Sequence, residues 1–204
     1  GYIQTTPLQL CLMTAQLANG GHKIYPKIIF DKKSESVESI MDKMKLSEQA
    51  NKDETNFIER TEKEFDSNKK TYPTLYRNKE NVKFVLDAMF RSTNEVYGTS
   101  YSSRIEDPKY QFAGKTGTAQ VKRITEKERE LDLKTSQIPY KQRDHAWYIA
   151  FGPYNNPRYA VSILVEHGGS GSSAAAPMAK KLFKIIIDRH EEREKIINNN
   201  STKV

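Results

Sequence analysis

The chain is poor in the residues that several functional classes need. Of its 204 residues, one is cysteine and four are histidine. The single thiol, Cys11, excludes an internal disulfide, and its place in an apolar helical pattern makes it a small core residue rather than a nucleophile. Asp144 and His145 stand side by side, but without further His or Cys at ligand spacing they do not build a metal site, so no metal and no cofactor are expected. No stretch approaches the roughly 18 apolar residues that a membrane span requires, and Gly1-Tyr2-Ile3-Gln4 lacks the basic and apolar regions of a signal peptide. Apolar residues make up 36% of the chain and charged residues 29%, so the core is expected to be unevenly distributed. The net charge of +7 is carried by Lys and Arg scattered among nearly as many Asp and Glu, which argues against a basic stripe for nucleic acid.

What is present reads as one domain of α and β layers. Thr6-Pro7-Leu8-Gln9 is a capping box with proline at the first helical position, and Leu10, Met13 and Leu17 mark an apolar stripe that ends at Gly20-Gly21. An extended piece runs from Tyr25 to Phe30. Residues 31–71 are dense in Lys, Glu, Asp, Ser and Asn and read as a charged insertion with no core of its own. The helical pattern returns from Asn81, with Val82, Val85, Met89 and Phe90 at core spacing, and Glu95 to Thr99 ends it.

The next block is β-like. Phe112-Ala113-Gly114 leads into an extended run to Val121, and Ala146 to Phe151 and Tyr159 to Val165 are apolar runs joined by Pro153-Tyr154-Asn155-Asn156-Pro157. Being apolar on both faces, these two runs are expected to be adjacent antiparallel strands inside a sheet covered on both sides. Gly168 to Ser173 reads as a flexible connection. Pro177 opens a closing helix with the stripe Met178, Leu182, Ile185 and Ile186, and the polar residues from about 190 to 204 are expected to fray. The fold class is therefore α/β (α+β), an antiparallel sheet between helical layers. The chain begins without methionine, directly before a helix, which suggests a part of a longer protein.

One run carries chemistry: Lys115-Thr116-Gly117-Thr118-Ala119-Gln120. Serine acyl transfer needs a nucleophile, a base, donors for the oxyanion and a group that holds the substrate carboxylate. A Lys-Thr-Gly-Thr strand can supply the last two. Lys115 brings charge, Thr116 and Thr118 bring hydroxyls, and Gly117 lets a flat substrate approach the backbone. Gly114-Lys115-Thr116 also resembles the end of a phosphate-binding loop, but that motif's first glycine falls on Lys109, and Thr118 to Val121 read as a strand instead of the helix that the motif needs.

Gly1 to Leu10, Ala18-Asn19-Gly20-Gly21, Lys115 to Val121, Asp144-His145-Ala146-Trp147 and Gly152-Pro153 together resemble the C-terminal portion of the transpeptidase domain of class B penicillin-binding proteins. Within that family the likeness is to the penicillin-binding protein 2 group, and it covers most of the chain apart from the insertion and the tail. The resemblance implies a β-lactamase/transpeptidase-like fold and D,D-transpeptidase chemistry on peptidoglycan peptide stems, with β-lactams as inhibitors. It implies that Lys115, Thr116 and Thr118 hold the donor stem and that the Thr118 N–H serves the oxyanion. It also implies an inner-membrane enzyme facing the periplasm, working beside a membrane glycosyltransferase.

The family's nucleophile motif S-x-x-K and its S-x-N motif precede the helix that opens this chain, so a missing N-terminal half of the domain is an expected partner and this chain alone is expected to be inactive. Ser67-Asn68-Lys69-Lys70 and Ser92-Thr93-Asn94 fit those patterns by letter only. Ser67 sits among Lys, Asp and Asn with Pro73 close behind, and Ser92 lies in the helix before the Lys115 strand. Trp147, inside an apolar run, reads as a core or groove-wall aromatic. Two other readings keep the same residues: a β-lactamase or D,D-carboxypeptidase in which water replaces the amine, and a non-catalytic remnant or interaction module of a split gene.

Overall fold

The computed structural model describes residues 4–27, 73–122, 133 and 135–201; the insertion at 31–71, with Ser67, lies outside the described residues. Helix α1, Pro7–Ala18, begins at the expected capping box. Thr6 Oγ1 accepts from the Gln9 N–H at 3.2 Å, and Gln9 Oε1 accepts from the Thr6 N–H at 2.8 Å. Helix α2 covers Lys79–Asn94, capped by the Asn78 side chain. Strands β1 (Ala113–Ala119), β2 (His145–Gly152) and β3 (Tyr159–Val165) form an antiparallel sheet in the order β1-β2-β3. A π-helical turn, Gly171–Ala175, leads into helix α3, Ala176–Ser201.

The sheet separates two cores, as the period of two along β2 requires. Ala146, Tyr148 and Ala150 face α3 and pack with Phe112, Ala179, Phe183 and Ile187. Phe151 and Ala113 face the opposite way, onto Val82, Leu86 and Met89 of α2 and Ala18 of α1. Adjacent antiparallel pairing of the two apolar runs is as expected, and the register places Gly117 opposite Trp147 and Thr116 opposite Tyr148. Among the described residues β3 is an edge strand and is half-buried along its whole length, so only β2 is covered on both sides and flanked on both edges.

The helix faces differ from the expected stripes. Thr14 and Ala18 are the buried positions of α1, whereas Met13 is 41% exposed. On α2, Leu86 takes the place predicted for Val85; on α3, Ala176, Ala179, Phe183 and Ile187 are buried while Met178 and Ile185 stand about half exposed. On α1 and at the start of α3 the buried positions are small, Thr14, Ala18, Ala176 and Ala179, which lets the helix approach the sheet closely; on α2 the buried face is turned by one residue, from Val85 to Leu86. Cys11 is half-buried, its thiol reaching the Ala160 carbonyl at 3.4 Å, and burial pushes its pKa up, which fits a packing role.

Helix α3 continues past Arg189 to Ser201. His190 Nε2 and Glu194 Oε1 are 2.7 Å apart, Arg158 reaches the same carboxylate, and the Tyr159 hydroxyl meets His190 Nδ1 at 2.7 Å. Lys109 bonds both Asp188 and Glu191, and the Tyr110 hydroxyl donates to Asp188 at 2.5 Å. The Tyr110 and Lys109 bonds hold the Asp188 carboxyl below its ordinary value. The contribution of this clamp is therefore present above the usual carboxylate pKa and is lost as the pH falls through the depressed one.

A buried polar contact also ties the sheet to the end of α2. Tyr148 is fully buried, and its ring passes beneath β1 at Gly114, where an added Cβ would stand 2.5 Å from the ring carbon Cζ. Its hydroxyl then meets Thr93 Oγ1 at 2.9 Å and Ser100 Oγ at 3.0 Å. Burial raises the phenol pKa, with the Ser100 and Thr93 hydroxyls pulling the other way. Gly114→Ala is expected to destabilise the fold by about 2 kcal/mol or more, because the new methyl meets ring carbons as well as the hydroxyl. The loss should persist when Tyr148→Phe is added, since the phenyl ring still blocks the methyl. Phe183→Ala, which empties a fully buried site, should cost about 3–5 kcal/mol. Urea unfolding of the single and double variants checks all three values.

Candidate active site

Strand β1 presents Lys115 and Thr118 to solvent, with Thr116 and Gly117 partly covered. Alternation along the strand puts Thr116 and Thr118 on one face and Lys115 and Gly117 on the other. Lys115 Nζ donates to the Thr116 carbonyl at 2.8 Å, an exposed contact within its own strand. Gly117 is confined from its own face, where a Cβ would come within 3.2 Å of Trp147 Cβ. Trp147 is thus partly buried against the strand, in keeping with a groove-wall aromatic.

The connection at Gly168 to Ser173 is packed, in contrast to the mobile loop expected from its composition. The Gly169 N–H donates to the Asp144 carbonyl at 2.8 Å, and Gly169 itself has φ +80°. Gly171 lies against the β1–β2 pair: a Cβ there would collide with the Trp147 carbonyl oxygen and come within 2.8 Å of the Gly117 carbonyl oxygen. The glycine therefore fixes the α3 entry turn directly on the Lys-Thr-Gly strand. Asp144 and His145 orient the start of β2. Asp144 Oδ1 accepts from the Val121 N–H at 3.2 Å, and His145 Nδ1 accepts from the His167 N–H at 2.9 Å, with His167 in the left-handed region at φ +54°. Among the described residues no group of three or more His, Cys, Asp or Glu could hold a metal ion.

Two sequence readings about serines meet different outcomes. Ser67 falls outside the described residues. Ser92 lies on α2 before the strand, as expected, yet it is not remote from the site: its hydroxyl is 3.2 Å from Thr99 Oγ1, which is 3.3 Å from Thr116 Oγ1. Among the described residues no lysine is bonded to Ser92, so it gains no base from this arrangement. Thr99 was missed in the sequence, where Gly98-Thr99 reads only as a helix stop. The signal was the glycine, whose Cβ would stand 2.5 Å from the Arg91 carbonyl oxygen, so the turn lies flush on the end of α2.

The family described as "Transpeptidase: Penicillin binding protein transpeptidase domain" matches residues 1–184. Among curated relatives, the peptidoglycan D,D-transpeptidase MrdA of Haemophilus influenzae is 37% identical over 101 residues, covering 50% of this chain and 15% of that protein. MrdA of Escherichia coli K12 is 35% identical over the same length, again covering 50% of this chain and 15% of its own. The solved penicillin-binding protein 2 of Pseudomonas aeruginosa, in complex with WCK 5153, is 30% identical with a TM-score of 0.55, and the match covers 88% of this chain and 29% of that one. The chain thus spans about 15% of the length of the curated relatives it matches. A family match over nine-tenths of its residues, on a fold whose exposed strand carries Lys115-Thr116-Gly117-Thr118, establishes that the chain belongs to the penicillin-binding protein transpeptidase family.

Proposed function

We propose that this chain forms the Lys-Thr-Gly wall of a peptidoglycan D,D-transpeptidase cleft, and that the nucleophilic serine lies outside it, in the preceding part of the domain. The observation that carries this reading is strand β1, which presents Lys115, Thr116, Gly117 and Thr118 on an open sheet edge within a family-matched fold. In the complete cleft the serine hydroxyl attacks the carbonyl of the penultimate D-alanine of a donor stem. Its proton passes to a base, the carbonyl oxygen becomes an oxyanion, and collapse expels the terminal D-alanine as its amine. An amine of a second stem then attacks the acyl-serine ester and releases the serine. Lys115, Thr116 and Thr118 hold the terminal carboxylate of the donor, the Thr118 N–H stabilises the oxyanion, and Gly117 leaves room for the stem backbone.

A β-lactam carries a carboxylate beside its reactive carbonyl, so the same wall would hold it. The relatives' names place their chemistry on peptidoglycan, which supports peptide stems as the substrate class here. The whole enzyme would sit in the inner membrane facing the periplasm, beside a membrane glycosyltransferase. Among the described residues no helix is long and apolar enough to cross the membrane, so that anchor would belong to another part of the protein.

Fluorescent penicillin separates the alternatives. The purified 204-residue chain should take no covalent label on a denaturing gel, and label should appear when the chain is joined to the preceding portion of the domain from the P. aeruginosa relative. Lys115→Ala in the joined protein should slow labelling by about 10- to 100-fold, the worth of a hydrogen bond to a charged group. Labelling of the chain alone would place the nucleophile within it, and an unimpaired Lys115→Ala protein would remove the role assigned to the strand.

A further inference from the structure

Thr99 touches β1 at Thr116, Ser92 touches Thr99, and the way the two are held gives them a direction. The sequence pairs Ser92 with Thr93 and Thr99 with Ser100. In each pair one hydroxyl is buried: Thr93 and Ser100 are fully buried, and both bond the Tyr148 hydroxyl. The other hydroxyl of each pair stands toward the surface, Ser92 beside Thr99 and Thr99 beside Thr116. Backbone geometry fixes the spacing. The Ser100 N–H donates to the Ser92 carbonyl at 3.0 Å, the Ser100 hydroxyl donates to the same carbonyl at 3.0 Å, and Gly98 lies flush against Ser92 and Arg91. Thr99 is thus placed by a buried polar knot, not by its own exposed contacts.

Proton counting orients the chain of hydroxyls Ser92–Thr99–Thr116, whose oxygens are 3.2 and 3.3 Å apart. Each hydroxyl has one proton to donate. An ionised carboxylate accepts only, so a Thr116 that binds one must spend its proton on it. Thr116 can then only accept from Thr99, Thr99 must donate to Thr116, and Ser92 must donate to Thr99. All three protons point the same way, toward the substrate, and each bond strengthens the next.

We infer that Thr99, backed by Ser92, is a positioning residue of the carboxylate wall: its hydroxyl fixes the Thr116 rotamer and leaves the Thr116 proton free for an anionic substrate group. This rests on the proposed transpeptidase cleft, since it assigns Thr116 to the substrate carboxylate. It adds a residue from the turn after α2 to a site otherwise drawn from one strand.

The test uses the joined protein and the chain itself. In the joined protein, Thr99→Val, which keeps the shape and removes the hydroxyl, should lower the acylation rate constant about three- to tenfold for a penicillin with a free carboxylate. For the methyl ester of the same penicillin it should change less than about twofold, and Thr99→Ser should restore the parent rate, two results that a merely structural role would not give. In the 204-residue chain, three-bond couplings should show one Thr116 χ1 rotamer in the parent and in Thr99→Ser, and averaging in Thr99→Val. An equal loss for acid and ester, or a Thr116 rotamer already averaged in the parent, overturns the inference. Thr116→Val distinguishes the two levels: if it acylates as the parent does, the carboxylate role of the strand falls, whereas if only Thr99→Val is silent, the strand stands and Thr99 has no part in it.

Discussion

The passage of Tyr148 beneath Gly114 is the constraint on which the rest of the site geometry depends. A phenol rooted on the central strand would normally stop within its own core. Because residue 114 has no side chain, the ring extends under β1 and its hydroxyl emerges at the end of α2, where Thr93 and Ser100 receive it. Strand β2 is thereby tied, at one buried oxygen, to α2 and to the turn that follows it, far earlier in the chain. The cost of burying three hydroxyls is offset because each has partners: Thr93 also reaches the Met89 carbonyl at 3.4 Å and Ser100 the Ser92 carbonyl. Removing the space at Gly114 would therefore disturb both the sheet and the loop that flanks the Lys-Thr-Gly strand.

The same knot accounts for how the chain crosses between layers. The Asn94 side chain donates to the Phe90 carbonyl and to the Phe112 carbonyl, pinning the last turn of α2 to the residue before β1. The chain then turns at Gly98, runs through the short helical turn Tyr101–Ser103, and delivers Ile105 into the core on the α3 side. The edge of β1 at its N-terminal end is thus wrapped by a loop rather than by another strand. Farther along, Lys115 and Thr118 stay exposed and Thr116 and Gly117 partly so, an opening that the proposed binding edge would need and that an ordinary edge strand avoids. Gly171 braces that stretch from the α3 side by lying against Gly117 and Trp147.

Much of this was legible in the sequence, and the failures share a cause. The capping box at Thr6, the strand order of the apolar runs and the strand-borne Lys-Thr-Gly run are local signals, readable from neighbours in the chain. The buried faces of α1 and the start of α3 were not, because hydrophobicity ranks Met13 and Met178 above Thr14 and Ala179, while close packing on a sheet selects for small size there. Gly168 to Ser173 looked mobile for a similar reason: glycine-rich composition signals conformational freedom as readily as it signals close backbone approach, and here Gly171 serves the latter. Thr99 was invisible because its significance lies in a contact across 17 residues of sequence, made only once Gly98 has laid the turn on α2. The contacts along α3 near residues 188–194 were not legible because their partners, Lys109, Tyr110, Arg158 and Tyr159, come from elsewhere in the chain.

Lys115 and Thr116 differ in how firmly they are held, and the difference suits an anion-binding wall. The lysine's hydrogen bond goes to its neighbour's carbonyl at the exposed edge, where water competes and the net worth of such a contact is small. An arriving carboxylate can therefore capture the ammonium with little to displace, and a flexible stem lets the charge follow the ligand. The threonine hydroxyl rests against Thr99, whose turn is laid down by the buried Ser100, so its position is held while its proton can swing to an arriving anion. On the proposed reading, binding would then order one long side chain and reorient a hydroxyl proton. In the proposed cleft a mobile charge beside a held hydroxyl would combine capture with orientation, on adjacent residues whose side chains point to opposite faces of the sheet.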